Sequence, residues 1–262
     1  MQGGTTLEAV LRRDRRIVLG ALASIATLAW TYMGYLAWKM EPMDRVMELA
    51  MPRMQVWDVV DLLLLFAMWA VMMVAMMVPT AASMILMYAT INRRRQTQQE
   101  PWVPTAVFLG GYLLVWTGFS VLATLAQWGL HSAALLSPMM VSTSPTLGGV
   151  LLLTAGIFQW TPWKYTCLTH CRSPLGFLLT DWREGTWGAL VMGVRHGSYC
   201  TGCCWFLMAL LFVAGVMNLL WVATLTVSVL VEKMVPRGDL MGRLAGGVLA
   251  LAGCVLLSQA WW

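Results

Sequence analysis

The sequence predicts an all-α, polytopic membrane helix bundle of about seven spans, and three observations carry that prediction. First, 59% of the 262 residues are hydrophobic and only 11% are charged, with a mean hydropathy of +0.70. Soluble domains are about 25% charged, so this chain cannot cover a folded globule with solvated groups. Second, seven apolar stretches approach or exceed the roughly 20 residues that cross a bilayer. Third, Lys and Arg collect between alternate stretches, the asymmetry that orients membrane helices. Together these exclude an ordinary soluble enzyme, a disordered chain and a nucleic-acid reader, despite a net charge of +5. The expected partner is the lipid bilayer.

The first span covers about 17–38. Arg12, Arg13, Arg15 and Arg16 precede it, and no small-residue cleavage pattern follows, so it reads as a retained span rather than a removed signal. The second covers 58–90 and opens with Asp58 and Asp61, which cap the helix or attract cations. The third is 104–129 and the fourth 147–163. The fifth, 187–217, is long and only weakly apolar over 187–200, which fits a half-helix or re-entrant piece. The sixth is 219–233, and the seventh 241–261. Arg93 to Arg95, then Lys164, Arg172 and Arg183, then Lys233, Arg237 and Arg243 fall on the same side as the N-terminal arginines if every helix crosses. That places the N-terminus in the cytoplasm. The chain reads as one domain, 1–262, with a Met-rich amphipathic outer segment at about 39–57.

Hydropathy leaves one count unexplained. There are 21 Met residues, although Leu fills a bilayer span at least as well. Met40, Met43, Met47, Met51 and Met54 fall within about 80° of one another on a helical wheel. Interfacial helices normally bury Leu, Phe or Trp, so an all-Met face reads as a collecting surface for a soft metal. Met68, Met72 and Met76 recur at four-residue intervals, and Met73 and Met77 form a second pair ahead of Pro79 and Thr80. Any one of these packs well as an adaptable hydrophobe. Five in ten residues also form a ladder of thioethers, ligands that select Cu(I) over hard cations.

The densest site candidate is His196-Gly-Ser-Tyr-Cys200-Thr-Gly-Cys203-Cys204-Trp205. On a helix, His196, Cys200 and Cys203 lie within roughly 60° of one another, with Cys204 just beyond. Imidazole and thiolates on one stripe suit Cu(I) or Zn(II). A second cluster, Cys167, His170 and Cys171, lies just past the fourth span on the predicted cytoplasmic side, where it can chelate a soft metal in a loop or helical turn, with a turn at Pro174 and Gly176. Burial as a small hydrophobe accounts for Cys254. Glu232 and Lys233 end the sixth span and are expected at the interface.

These residues resemble a bacterial family of predicted metal-binding integral membrane proteins. The resemblance rests on Met72 to Thr80, on Cys167 to Cys171 followed by Pro174, and on His196 to Met208. Gly215, Met217, Asn218, Glu232 and Lys233 fit it too. It covers roughly 60–235 and implies a multi-pass metal-binding protein of the bacterial cytoplasmic (inner) membrane, with no substrate specified.

The thioether count selects copper, with zinc as the second choice. The leading expectation is therefore a non-enzymatic membrane protein that handles Cu(I) for uptake, trafficking or delivery. Its metal residues would be His196, Cys200, Cys203, Cys204, Cys167, His170, Cys171, Met72, Met73, Met76 and Met77. Its partner would be a membrane or extracytoplasmic copper protein or enzyme. Two rivals stand beside it. One is a thiol–disulfide oxidoreductase that uses Cys200 and Cys203 with quinone. The other is a structural subunit of a larger membrane enzyme.

Overall fold

A computed structural model describes residues 3–50, 58–96, 103–133, 135 and 144–260; within these, the side chains of 3–14, 40–50 and 96 lie outside the description. In chain order the helices are α1 (Gly3–Ala50), α2 (Val59–Gln96), α3 (Thr105–Ser132), α4 (Pro145–Phe158) and α5 (Pro162–Arg172), then α6 (Pro174–Asp181), α7 (Gly185–Ala209), α8 (Leu211–Ala214), α9 (Leu219–Met234) and α10 (Gly238–Gln259). The described residues contain no strand.

Five helical stretches are long and apolar enough to cross a membrane: Arg15–Lys39, Val59–Arg95, Thr105–Ser132, Gly185–Ala214 and Gly238–Gln259. The other two expected spans are shorter helices, α4 with 14 residues and α9 with 16. α4 stops early for a local reason. Thr161 accepts from the Lys164 amide and Pro162 takes the first position of α5, a pairing that starts a helix. The expected fifth span ends at Gly215, whose φ of 91° suits a residue without Cβ. The segment after the fourth span, which carries Cys167, His170 and Cys171, is helical. Pro174 begins α6 rather than marking a turn. Large apolar side chains such as Leu28, Leu64, Leu122, Leu220 and Leu251 are exposed, as lipid contact allows and water disfavours.

Two helix pairs approach through glycine. Cβ atoms added at Gly149 and Gly156 of α4 would run into Gly253 and Gly246 of α10, so these helices are antiparallel at backbone contact. Gly111 of α3 meets Gly193 of α7, while Val115 meets Gly197, so that pair is parallel. Gly193→Ala would drive its methyl into the Phe108 carbonyl. We expect it to lower stability by about 1–3 kcal/mol, read as a fall in the thermal midpoint of the purified protein.

α2 is the central post. It runs unbroken through Pro79. That proline has no N–H to offer the Ala75 carbonyl four residues back. The Trp30 indole of α1 donates to this carbonyl instead, at 3.1 Å. The freed acceptor is thus satisfied from another helix, as a water-poor interior requires. At the start of α2, Asp58 and Asp61 accept from the Val59 and Asp58 amides, so capping accounts for both. α3 lies antiparallel to α2. Trp69 donates to Gln127 at 2.6 Å, and Tyr112 donates to the Met77 carbonyl at 3.1 Å.

Candidate metal centre

The two cysteine clusters that the sequence sets apart belong to one site. α5 packs along α7, and the Cys171 and Cys203 sulfurs stand 4.0 Å apart in the buried interior. Two metal–sulfur bonds of about 2.3 Å, the length typical of zinc thiolates, subtend that distance at an angle near ~120°. Cys200, one turn before Cys203, is fully buried, and its sulfur faces two polar groups. The Tyr112 hydroxyl of α3 lies 3.1 Å from its sulfur, and the Lys233 ammonium of α9 lies 2.9 Å away. Lys233 also donates to the Thr80 hydroxyl at 3.1 Å. Cys203 and Cys204 both turn their thiols onto the Cys200 carbonyl, at 3.1 and 2.9 Å. Cys167 sits against Gly202, where a Cβ would come within 2.9 Å of its sulfur. Glycine at that position lets α5 close on α7.

His196 lies one turn before Cys200, enclosed by Phe108, Tyr112 and Phe177 with ring centroids 6.2, 5.7 and 5.7 Å away. Its Nδ1 is buried and has no hydrogen-bond partner in this environment. An orphaned buried imidazole nitrogen costs free energy, and a soft metal on the same helical stripe would satisfy it. Thiol and imidazole donors with thioethers nearby form the set that suits a soft cation. Among the described residues, however, no group of three His, Cys, Asp or Glu side chains is already gathered as metal ligands. Two thiols have met, and the further donors stand by.

α5 lies outside the five long apolar helices. Hydrogen bonds to Cys200 and Cys203, together with burial, hold the Cys171 thiol well above its usual range. Burial, with Cys203 nearby, also raises Cys167. Both therefore keep their protons at neutral pH until a metal displaces them.

The remaining residues from the sequence reading fall as follows. Met72, Met73, Met76 and Met77 are completely buried on α2, with the Met77 carbonyl adjoining the site through Tyr112 and Thr80. His170 is held aside. Its ring stacks on Tyr199 at 4.4 Å and its Nδ1 lies 2.8 Å from the Thr166 carbonyl of its own helix. Cys254 is exposed on α10, away from the other five cysteines. Met40, Met43 and Met47 lie on α1 with side chains outside the described set, and Met51 and Met54 fall outside the described residues.

Two charges read as interfacial are not. Glu232 and Lys233 are both buried. Glu232 pairs with Lys164 at 2.7 Å. Lys233 turns toward the thiols, where a long side chain can carry its charge inward from a helix end. Glu184, at the N-cap of α7, makes no capping bond with its side chain and pairs with Arg95 at 2.9 Å.

Residues 66–256, well over half of the chain, match the model of the PpoB2 family, described as a copper chaperone. The chain belongs to the copper chaperone family. A comparison with curated proteins finds no match, and a comparison with solved structures finds none. The family match spans the Met-rich stretch of α2 and all six cysteines. It supports a copper-handling role, and it fits a protein that carries a metal rather than one that turns over a substrate.

Proposed function

We propose that this chain is a membrane copper chaperone that takes Cu(I) as cargo on Cys171, Cys200 and Cys203 and passes it to a copper protein of the same membrane. One observation carries the reading. Cysteines from two segments about thirty residues apart close to 4.0 Å in a buried site, inside a chain of the copper chaperone family. Nδ1 of His196 supplies a nitrogen donor. Met72, Met73, Met76 and Met77 are the thioethers along which the ion approaches, and Met40, Met43, Met47, Met51 and Met54 collect it outside. Neutral thioethers followed by thiolates raise affinity along that route.

The exit runs beside α5. Leu168, which lies between Cys167 and Cys171 on that helix, lines a cavity of about 240 Å³ with Lys164, Tyr165, Gly242 and Arg243. Cargo reaching Cys171 is thus one helical turn from space that an acceptor can enter. No catalytic residue is assigned.

Protein expressed with copper and purified is expected to carry about one Cu(I) per chain and to hold it against a Cu(I) chelator of graded strength. Protein that carries no copper and takes none from the weakest chelator would overturn the reading. Alkylation of the cysteines under quinone and reductant separates it from the oxidoreductase alternative, which requires a disulfide that responds to quinone.

A further inference from the structure

We propose that Lys233 is the specificity-determining residue of the thiol cluster, selecting a monovalent over a divalent soft cation; the inference rests on the copper-chaperone reading of the same site. Three charged residues are buried among the described residues: Lys164, Glu232 and Lys233. Lys164 and Glu232 neutralise one another at 2.7 Å. Lys233 has no carboxylate, and its ammonium is fixed between the Cys200 sulfur at 2.9 Å and the Thr80 hydroxyl at 3.1 Å. The Tyr112 hydroxyl lies against the same sulfur at 3.1 Å. Other cations flanking α5 and α7 are engaged elsewhere, Arg195 with Asp181 and Arg172 with Asp239. Among the described residues, Lys233 is therefore the buried ammonium that faces the thiols without a carboxylate partner.

A cation bound to the Cys200 sulfur lies no farther than about 5 Å from this ammonium, given a metal–sulfur bond of about 2.3 Å. Repulsion from a fixed charge scales with the charge of the incoming ion, so a divalent cation feels twice what a monovalent one feels. Softness also separates two such cations, and a free dithiol, which offers the same thiolates without the ammonium, isolates the contribution of charge. At an effective dielectric of about 20, the additional unit of charge corresponds to a penalty on the order of a hundredfold in affinity. A buried charge is tolerated only where something balances it. A thiolate pair carrying one monovalent ion balances the ammonium, whereas the same pair carrying a divalent ion leaves one positive charge over.

The test uses a matched pair of soft cations, Ag(I) and Cd(II), on the full-length chain in detergent. Each is titrated against a common thiol competitor, and binding is followed by metal–thiolate absorption. Wild type is expected to favour Ag(I) over Cd(II) by on the order of a hundredfold more than free dithiothreitol does. Lys233→Met should erase that excess, and Lys233→Arg, which keeps the charge, should retain it. Lys233→Gln, which keeps a donor for Thr80, makes the same test if the Met variant does not fold. An unchanged Ag:Cd preference in a folded neutral variant overturns the proposal. So does a wild-type preference equal to that of the free dithiol, with no variant needed. Wild type that binds neither Cu(I) nor Ag(I) removes the chaperone reading and this inference together. Wild type that binds both, beside a neutral variant with unchanged preference, removes the selectivity inference alone.

Discussion

Cys171→Ser and Cys203→Ser are each expected to lower Cu(I) affinity by roughly a hundredfold, and the double variant should lose far less than the product of the two. A four-ligand thiolate site binds zinc with about 10–16 kcal/mol, or roughly 3 kcal/mol per ligand. Serine keeps the size of cysteine but offers a hard, protonated oxygen in place of a soft thiolate. The coupling is the sharper part of the prediction. The sulfurs stand 4.0 Å apart, so one ion can use both, and losing either leaves the other without its partner. Residues sharing a partner are non-additive, whereas independent sites add. A double-mutant cycle by chelator competition measures this. Strict additivity would place Cys171 and Cys203 on separate ions.

That contrast marks what could be read from the sequence. The all-helical class and the five helices long and apolar enough to cross a membrane were legible because hydropathy is a local property, summed over about 20 residues. The His196, Cys200, Cys203 stripe was legible because three- and four-residue spacing on one helix fixes a face. The union of α5 with α7 was not, because it depends on how two helices separated in sequence pack. Its trace in sequence is Gly202, a residue without a side chain that faces the Cys167 sulfur. α5 itself was hidden by Pro162 and Pro174, which punctuate a loop as readily as they start a helix.

Lys233 was misplaced for a related reason. A lysine at the end of an apolar stretch normally snorkels to the interface. Only the tertiary position of Cys200 and Thr80 turns it inward. Tyr112 left a weak signal as a phenol in an apolar span, where its hydroxyl has to find a partner. It found the Met77 carbonyl and the Cys200 sulfur.

Glu232→Gln should destabilise the protein by about 3–5 kcal/mol, and Lys164→Met by a similar amount. The pair is joined at 2.7 Å, with both side chains about 95% removed from solvent. Either single change strands one buried charge. Glu232→Gln leaves the buried Lys164 ammonium without its carboxylate. Replacing both residues together, Lys164→Met with Glu232→Leu, removes the charges as well as their attraction. Buried pairs exchanged for apolar residues are often neutral or better, so the double variant should recover most of the loss. Thermal unfolding of the four proteins in one detergent gives the cycle.

Its reading in copper affinity matters more. The pair ties α5 to α9, and Glu232 also packs against α10, where a Cβ on Gly242 would come within 2.8 Å of its carboxylate. α5 carries Cys171 and α9 carries Lys233, so the clasp holds a thiol and the ammonium in register with α7. If the clasp acts only by seating these helices, Cu(I) affinity falls in the single variants and returns with stability in the double. Stability that returns without affinity would mean that the charges themselves act on the cargo, and the cavity lined by Lys164 would then be part of the binding site rather than its exit.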